Sequence, residues 1–190
     1  MRMNNPKAND EWYTPADETA VFRRALGITE FDCDPCSPMS GPTVPARVHY
    51  TQADDGLVQP WPAGGVIWMN PPYSSKQDWL VKAALGVCNG EFRAVLGLLP
   101  GNTSTPWYHD FVLPWPHWLR RGRIKFVPGH RTEFDGRMAL GSVLILFSLD
   151  AALIERFRLG LQGSRWEFTG YRVPEPQEVH HHRPALRLVG

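Results

Sequence analysis

Two consecutive prolines, Pro71 and Pro72, follow a short apolar run at residues 66–69 and end it abruptly. Proline has no backbone N–H to donate and fixes its own φ, so a paired strand cannot continue through both residues. Pro72 also drives Pro71 toward an extended ψ. We therefore expect a buried strand that stops at Asn70, with the Pro71 carbonyl held rigidly beside the Asn70 side chain and the Tyr73 ring.

The groups at this corner suit a planar ring that carries an exocyclic amine. The Asn70 amide oxygen and the Pro71 carbonyl oxygen are two acceptors, and Tyr73 offers an aromatic face for stacking. Two acceptors concentrate electron density on an aryl amine nitrogen, and positioning and electrostatics then favour its attack on a sulfonium methyl group. The corner predicts an amino-methyltransferase that uses S-adenosylmethionine. The alternative is an ordinary strand-ending turn.

Composition narrows the class of protein. The chain has 190 residues, enough for one domain with a substantial core. A formal net charge of +1 excludes a global polycation, so any contact with nucleic acid must use a local basic patch. Three cysteines cannot all pair, which favours a reducing interior. No apolar run approaches transmembrane length and no signal-peptide core is visible, so we expect no membrane association.

The apolar segments alternate between strand and helix patterns and predict an open α/β sheet. Thr14 and Pro15 are expected as the N-cap and first position of the first helix. Ligands of such sheets lie at the carboxyl ends of the strands, so Asp34, Asn70 and Pro100 should line one crevice. Strands are expected at residues 31–34, 48–50, 66–69, 94–99, 142–148 and 165–171, and helices at 15–26, 75–88, 105–112 and 151–159. We expect residues 1–11 to be a flexible lead, 12–172 the domain and 173–190 a tail.

The order of the motifs resembles that of one family. The motifs are, in chain order, residues 10–15, 31–36, 55–57 with Trp61, 70–73, 99–107 and 122–124. This succession resembles the phage-type DNA N6-adenine methyltransferases, the Dam-like enzymes of phages and prophages. The resemblance implies a compact class I S-adenosylmethionine-dependent methyltransferase fold, acting on an adenine flipped out of double-stranded DNA. It also implies a role in marking phage DNA against host restriction, in the cytoplasm of a bacterial cell.

The resemblance implies a role for each matching residue. The catalytic residues are Asn70, Pro71, Pro72 and Tyr73. The cofactor-binding residues are Tyr13, Thr14 and Pro15, which close over the methionine portion, then Asp34, Pro35 and Cys36, with Asp34 near the amino group, and Asp55 at the cofactor adenine. For Asp34 and Asp55 the alternative role is that of a local turn cap, and Asp54 is a second candidate for the adenine contact.

The sequence departs from the wider pattern of adenine methyltransferases at three places. Cys36, Ser37 and Pro38 stand where a glycine-rich cofactor loop is usual. No acid follows the strand near His49, where a ribose-binding carboxylate is expected. Asn70 replaces the Asp of many relatives, which keeps the acceptor oxygen and removes the charge.

An aromatic and basic segment at residues 115–126 is the candidate for contacts with phosphate and unstacked bases. The candidate DNA-binding residues are Trp107, His109, Arg120, Arg121, Arg123 and Lys125, with His130 and Arg131 further along. The alternative is a solvated strand edge whose tryptophans belong to the core. Loops that select the target sequence are expected within residues 112–140.

Other readings of the chain remain open. Cys33 and Cys36 have the spacing of metal ligands, but the sequence has no second pair, so no metal is expected. His180, His181 and His182 are expected to be a solvated tail. The same corner chemistry would serve an enzyme that methylates RNA adenine or a protein glutamine. The missing glycine loop and ribose acid leave a non-catalytic DNA-binding module as a further alternative.

Overall fold

A computed structural model of the protein describes residues 12–128 and 141–170. The main sheet contains β2 (Phe31–Asp34), β3 (Ala46–His49), β4 (Val66–Met69), β5 (Ala94–Pro100), β6 (His117–Arg120), β8 (Ser142–Phe147) and β9 (Trp166–Gly170). A separate two-stranded pair joins β1 (Trp12–Tyr13) to β7 (Val127–Pro128). The helices are α1 (Ala16–Leu26), α2 (Lys76–Cys88), α3 (Pro106–Phe111) and α4 (Ala151–Gly160). In the described parts of the chain, no helix has the length and apolar character needed to span a bilayer.

The order of the strands in the main sheet is β3-β2-β4-β5-β8-β6-β9. The first four strands in that order are parallel to one another. Strand β8 runs antiparallel to both β5 and β6, so β6 points in the same direction as β5. The carboxyl ends of β2, β3, β4, β5 and β6 therefore lie at one edge of the sheet, where a parallel α/β sheet binds its ligands.

Two apolar clusters cover the two faces of the sheet. Alternate residues of β4 point to opposite faces, so Trp68 packs with Phe22 and Phe157 of α1 and α4. Ile67 lies in the other cluster, together with residues of α2 and α3. Helices α1 and α4 also pack closely against each other at Gly160. A Cβ at this position would lie only 2.6 Å from the Ala25 Cα. Burial of apolar side chains on both faces stabilises the sheet, and with it the position of the edge that carries the polar motifs.

Each strand and helix predicted from the sequence is present in the structure, with ends that differ by up to two residues. Strand β6 was not among the predicted elements, nor was the pairing of β1 with β7. The capping prediction was wrong. Helix α1 begins at Ala16 after Pro15, and no side chain caps it. Thr14 instead bonds to a residue of the site described below.

Several sequence predictions concern residues outside the described ranges. These are the lead at residues 1–11, the basic residues His130 and Arg131, and the tail at 173–190 with its three adjacent histidines.

Candidate active site

The Asn-Pro-Pro-Tyr corner lies where β4 ends, at Met69. The Asn70 Nδ2 donates a hydrogen bond to the Thr14 Oγ1 at 3.3 Å. On its other side, the Tyr73 hydroxyl donates to the Asn70 Oδ1 at 3.3 Å. The Asn70 carboxamide is thus held between the N-terminal segment and the end of its own turn.

Asp34 ends the neighbouring strand β2 and is only 2% exposed. Its Oδ1 accepts a hydrogen bond from the Cys36 backbone N–H at 3.2 Å. Burial raises the pKa of the Asp34 carboxyl to about 7, against the smaller lowering effect of that hydrogen bond. A carboxyl group that is half protonated near neutral pH is poised to ionise when a cation arrives beside it.

Cys36 connects the two motifs directly. Its sulfur accepts a hydrogen bond from the Asn70 backbone N–H. Burial raises the pKa of this thiol well above its usual range, and the nearby Asp34 charge raises it further. Cys36 is therefore a neutral packing group here, and the predicted cofactor turn and the predicted catalytic corner are in contact.

The loop that carries Asp55 packs against the same turn. A Cβ on Gly56 would lie 2.0 Å from the Pro35 carbonyl oxygen, so only glycine permits this approach. Asp55 itself has a φ of 55°, and its Oδ1 accepts from the Leu57 N–H at 3.3 Å. The loop thus packs Gly56, the residue after Asp55, against Pro35.

Asp54 is the second candidate for the adenine contact, and its carboxylate is hydrogen-bonded within the loop. Its Oδ2 accepts from the Thr51 backbone N–H at 2.8 Å and from the Thr51 hydroxyl at 2.7 Å. These bonds lower the pKa of Asp54. The geometry therefore favours Asp55 over Asp54 as the residue left to contact a ligand.

Lys82 of α2 holds the loop in place, a role that sequence reasoning missed. Its Nζ donates to the carbonyl oxygens of Gly56 at 3.3 Å, Leu57 at 2.7 Å and Gln59 at 2.7 Å. The ammonium also lies 4.5 Å from the centroid of the Trp61 ring. The Trp61 indole N–H donates to the same Gly56 carbonyl at 2.8 Å. Nothing local in the sequence signals this, because the lysine is more than twenty residues from the carbonyls it binds.

The N-terminal segment contacts the site through Thr14. Tyr13 belongs to β1, and its hydroxyl accepts a hydrogen bond from the Ser40 hydroxyl at 3.1 Å. Thr14 is 4% exposed and contacts Asn70, and Pro15 directly precedes α1. The segment predicted to close over the cofactor therefore adjoins the catalytic corner.

Strand β3 ends at His49, at the position where the wider family pattern has a ribose-binding acid. The His49 Nδ1 lies 3.3 Å from the hydroxyl of the buried residue Ser37. His49 is in register with Asp34 of the adjacent strand. The polar groups at this strand end are the Ser37 hydroxyl and the His49 imidazole.

A basic segment leaves the sheet at the same edge. Arg121, Arg123 and Lys125 are exposed, whereas Ile124 and Phe126 between and after them are buried. The chain then enters β7, which pairs with β1 immediately before Thr14. The exposed cations therefore occupy the segment that connects the carboxyl end of β6 to the neighbourhood of the Asn70 corner.

Arg120 differs from these three residues, and its predicted place in the basic surface needs correction. Its side chain is 5% exposed and forms an ion pair with Glu18 of α1. The Nε donates to the Glu18 Oε1 at 2.9 Å, and the Trp166 indole N–H donates to the Glu18 Oε2 at 2.9 Å. Arg120 thus joins α1 to β6 and β9, and it is not available as a phosphate contact.

Trp107 and His109 of α3 occupy different environments. Trp107 is 7% exposed and packs in the core, with the Lys76 Nζ 4.9 Å from the centroid of its ring. The same ammonium donates to the Tyr73 carbonyl at 2.9 Å, so Trp107 is a wall behind the corner and not an open stacking surface. His109 is exposed, and its Nε2 donates to the Thr103 carbonyl at 2.9 Å.

An open Rossmann-like sheet with an acid-Pro turn and an Asn-Pro-Pro-Tyr corner at adjacent strand ends defines the class as a methyltransferase of the class I fold. A family model described as DNA N-6-adenine-methyltransferase (Dam) matches residues 3–155. The chain therefore belongs to that family, and the resemblance predicted from the order of the motifs is confirmed.

A DNA N-6-adenine-methyltransferase of Escherichia phage T1 is similar to this chain, with 26% identity over 139 residues. The alignment covers 72% of this chain and 56% of the phage protein. The chain thus spans about half the length of this curated relative.

Proposed function

We propose that the protein transfers a methyl group from S-adenosylmethionine to the N6 amine of an adenine in double-stranded DNA. The observation that carries the proposal is the Asn70 corner, held at the carboxyl end of β4 and hydrogen-bonded through Cys36 to the turn that contains Asp34. Membership of the DNA N-6-adenine-methyltransferase family supports the same substrate.

The residues around Asp34 fit S-adenosylmethionine. A buried carboxyl with a pKa near 7 gains from an adjacent ammonium group, which would stabilise its ionised form. Pro35 and Cys36 form the turn, Asp55 lies in the loop packed on it, and the segment from Tyr13 to Pro15 would close over the methionine portion. The Thr14 hydroxyl is directed to Asn70 and not to the cofactor. When bound, the cofactor supplies an electrophilic methyl group on a sulfonium centre.

Asn70 and Pro71 would hold the target amine. The two hydrogens of the amine are directed to the Asn70 Oδ1 and the Pro71 carbonyl, while the Tyr73 ring stacks on the base. An amide oxygen has two lone pairs, so Oδ1 can accept from the Tyr73 hydroxyl and from the amine together. Neither acceptor is a strong base, so the N–H proton would leave to water after methyl transfer has given the nitrogen a positive charge. Pro72 fixes the direction of the preceding carbonyl.

The basic segment would bind the DNA around the target. Arg121, Arg123 and Lys125 are exposed and leave the sheet at the edge that carries the corner. An adenine inside a duplex has its amine paired, so the base must be flipped out to reach Asn70. Because the net charge is only +1, attraction to phosphate must come from local cations such as these.

The test is methyl transfer from labelled cofactor to unmethylated duplex DNA, followed by separation of the digested nucleosides. Parallel reactions offer an RNA of the same sequence and a glutamine-containing peptide. We expect label in N6-methyladenine from DNA alone. Label in RNA or in the peptide would replace the proposed substrate, and a folded protein that binds DNA but neither binds nor uses the cofactor would contradict the enzyme assignment.

A further inference from the structure

The Asn70 carboxamide is bonded by hydroxyl groups at both of its ends. The Nδ2 donates to the Thr14 Oγ1, and the Oδ1 accepts from the Tyr73 hydroxyl, both at 3.3 Å. We propose that Thr14 is a positioning residue, which fixes the carboxamide with its oxygen toward the target amine. This inference rests on the proposed function of the corner.

An asparagine at this position needs orientation in a way that an aspartate does not. A carboxylate has two equivalent acceptor oxygens, so a half-turn of the group changes nothing. A half-turn of a carboxamide exchanges the acceptor for an NH2 group, which would then face the NH2 of the substrate. Two donors facing each other cannot form a hydrogen bond, so the reversed orientation abolishes the acceptor on which the reaction depends.

The structure gives Thr14 the properties of an orienting group. It is 4% exposed, so water does not compete freely for its hydroxyl. Its β-branched side chain is stiff about χ1, which keeps the hydroxyl in one place. The residue lies between β1, which pairs with β7, and the start of α1, so its backbone is held at both ends.

The pattern also explains why a threonine next to Pro15 is not used as a helix cap. No side chain caps α1, and the Thr14 hydroxyl is used by Asn70 instead. The Thr14 hydroxyl therefore bonds to Asn70, far along the chain, and not to the first turn of α1.

The test compares the effect of losing the Thr14 hydroxyl in two backgrounds. Thr14→Val removes the hydroxyl with little change of shape, and Thr14→Ser keeps it. In the wild-type background, with Asn70 present, we expect Thr14→Val to lower kcat about tenfold, the scale of one part-buried hydrogen bond lost. Thr14→Ser should retain most of kcat. In the Asn70→Asp background, where both oxygens accept, Thr14→Val should change kcat less than about threefold, because no orientation remains to be lost.

Cofactor binding separates this role from a simple contact with the cofactor. Calorimetry should give a Kd for S-adenosylmethionine within about twofold of wild type for Thr14→Val, well below the tenfold step that 1.4 kcal/mol would produce. A raised Kd with an unchanged kcat would assign Thr14 to the cofactor and overturn the proposal. Equal losses of kcat in the wild-type and Asn70→Asp backgrounds would overturn it too.

A readout independent of activity decides the matter if the Asn70→Asp enzyme is inactive. In protein labelled with 15N-asparagine, the carboxamide signals that disappear in Asn70→Asp belong to Asn70. We expect slow hydrogen exchange of one of these protons in wild type and in Thr14→Ser, and fast exchange in Thr14→Val. Unchanged exchange in Thr14→Val would contradict the proposal.

Thr19→Val is the matched control for this series. Thr19 is also a buried threonine of the same region, and its hydroxyl donates to the Ala16 carbonyl at 3.1 Å, away from Asn70. It should leave both kcat and the Asn70 exchange rate unchanged. If wild type transfers no methyl group at all, the proposed function fails, whereas the exchange experiment still reports whether Thr14 orients the carboxamide.

Discussion

Replacing Asp34 with asparagine should stabilise the fold above neutral pH. The pKa of this buried carboxyl is raised from 3.8 to about 7, mainly by desolvation. In the folded protein the group therefore keeps its proton between about pH 4 and pH 7, whereas in the unfolded chain it is ionised over that range. The unfolded state binds fewer protons there, so the stability of the wild-type protein falls as the pH rises through this window.

The magnitude follows from the difference between the two pKa values. Each pH unit is worth about 1.36 kcal/mol, so the penalty reaches about 4 kcal/mol above pH 7. Asparagine is neutral at every pH and keeps an oxygen for the Cys36 N–H. The stability advantage of Asp34→Asn over wild type should therefore grow by about 2 to 3 kcal/mol between pH 5 and pH 8.

Urea unfolding followed by circular dichroism at pH 5 and pH 8 measures this difference. Asp54→Asn is the control, because hydrogen bonds to Thr51 lower the pKa of Asp54. That variant should be less stable than wild type at both pH values, with no trend between them. Asp34→Asn should also bind S-adenosylmethionine more weakly, since it cannot form the carboxylate. A stability difference between Asp34→Asn and wild type that does not change with pH would mean that the pKa of Asp34 is not raised in the folded protein.

Four other substitutions test the contacts described above. Lys82→Met removes all three hydrogen bonds to the Asp55 loop and should raise the Kd for S-adenosylmethionine about tenfold by calorimetry, the effect of roughly 1.4 kcal/mol; an unchanged Kd would mean that the loop does not contact the cofactor. Gly56→Ala forces a Cβ against the Pro35 carbonyl and should cost about 1 to 3 kcal/mol of stability in urea unfolding, and a cost near zero would contradict the packing. Arg120→Met should lower stability by about 3 to 5 kcal/mol because it leaves the Glu18 carboxylate, whose side chain is 12% exposed, without its cationic partner. Arg121→Met should instead change stability by less than about 0.5 kcal/mol and reduce the salt dependence of DNA binding by about one phosphate contact; the reverse pattern for the two arginines would refute this division.

The sequence was sufficient for features whose signals are local. The apolar run before Pro71 and Pro72 identified β4 and its end, because prolines forbid continued pairing. The continuous apolar run of β5 identified a strand covered on both faces. The same rule for parallel sheets placed Asp34 and Asn70 at one edge, as the pairing of β2 with β4 shows.

Features that depend on distant contacts were not predictable in this way. Strand β6 mixes Trp118 with Arg120, and only its pairing with β8 and β9 reveals it. Arg120 resembled its basic neighbours, but its partner Glu18 lies 102 residues earlier in the chain. In the stretch from Arg123 to Phe126, charged and apolar residues alternate in the sequence. The charged ones are exposed and the apolar ones are buried, so this pattern separates surface cations from core residues.

The hydroxyl of Thr14 could serve either as a helix cap or in a tertiary hydrogen bond. Before Pro15 it has the local pattern of an N-cap, and the structure uses its hydroxyl for Asn70 instead. A helix can begin without a side-chain cap at a cost of about 1 kcal/mol, so a tertiary hydrogen bond can override the local preference. A single sequence holds no sign of which use prevails.

In the proposed reaction, Asn70 supplies the acceptor for the adenine amine. Single-turnover transfer to duplex DNA, with saturating S-adenosylmethionine and DNA, measures this most directly in wild type and Asn70→Ala. We expect the rate of N6-methyladenine formation to fall at least about a hundredfold, the scale of losing one preorganised transition-state contact, with cofactor Kd unchanged. A rate within a fewfold of wild type would contradict the account and remove Asn70 from the reaction.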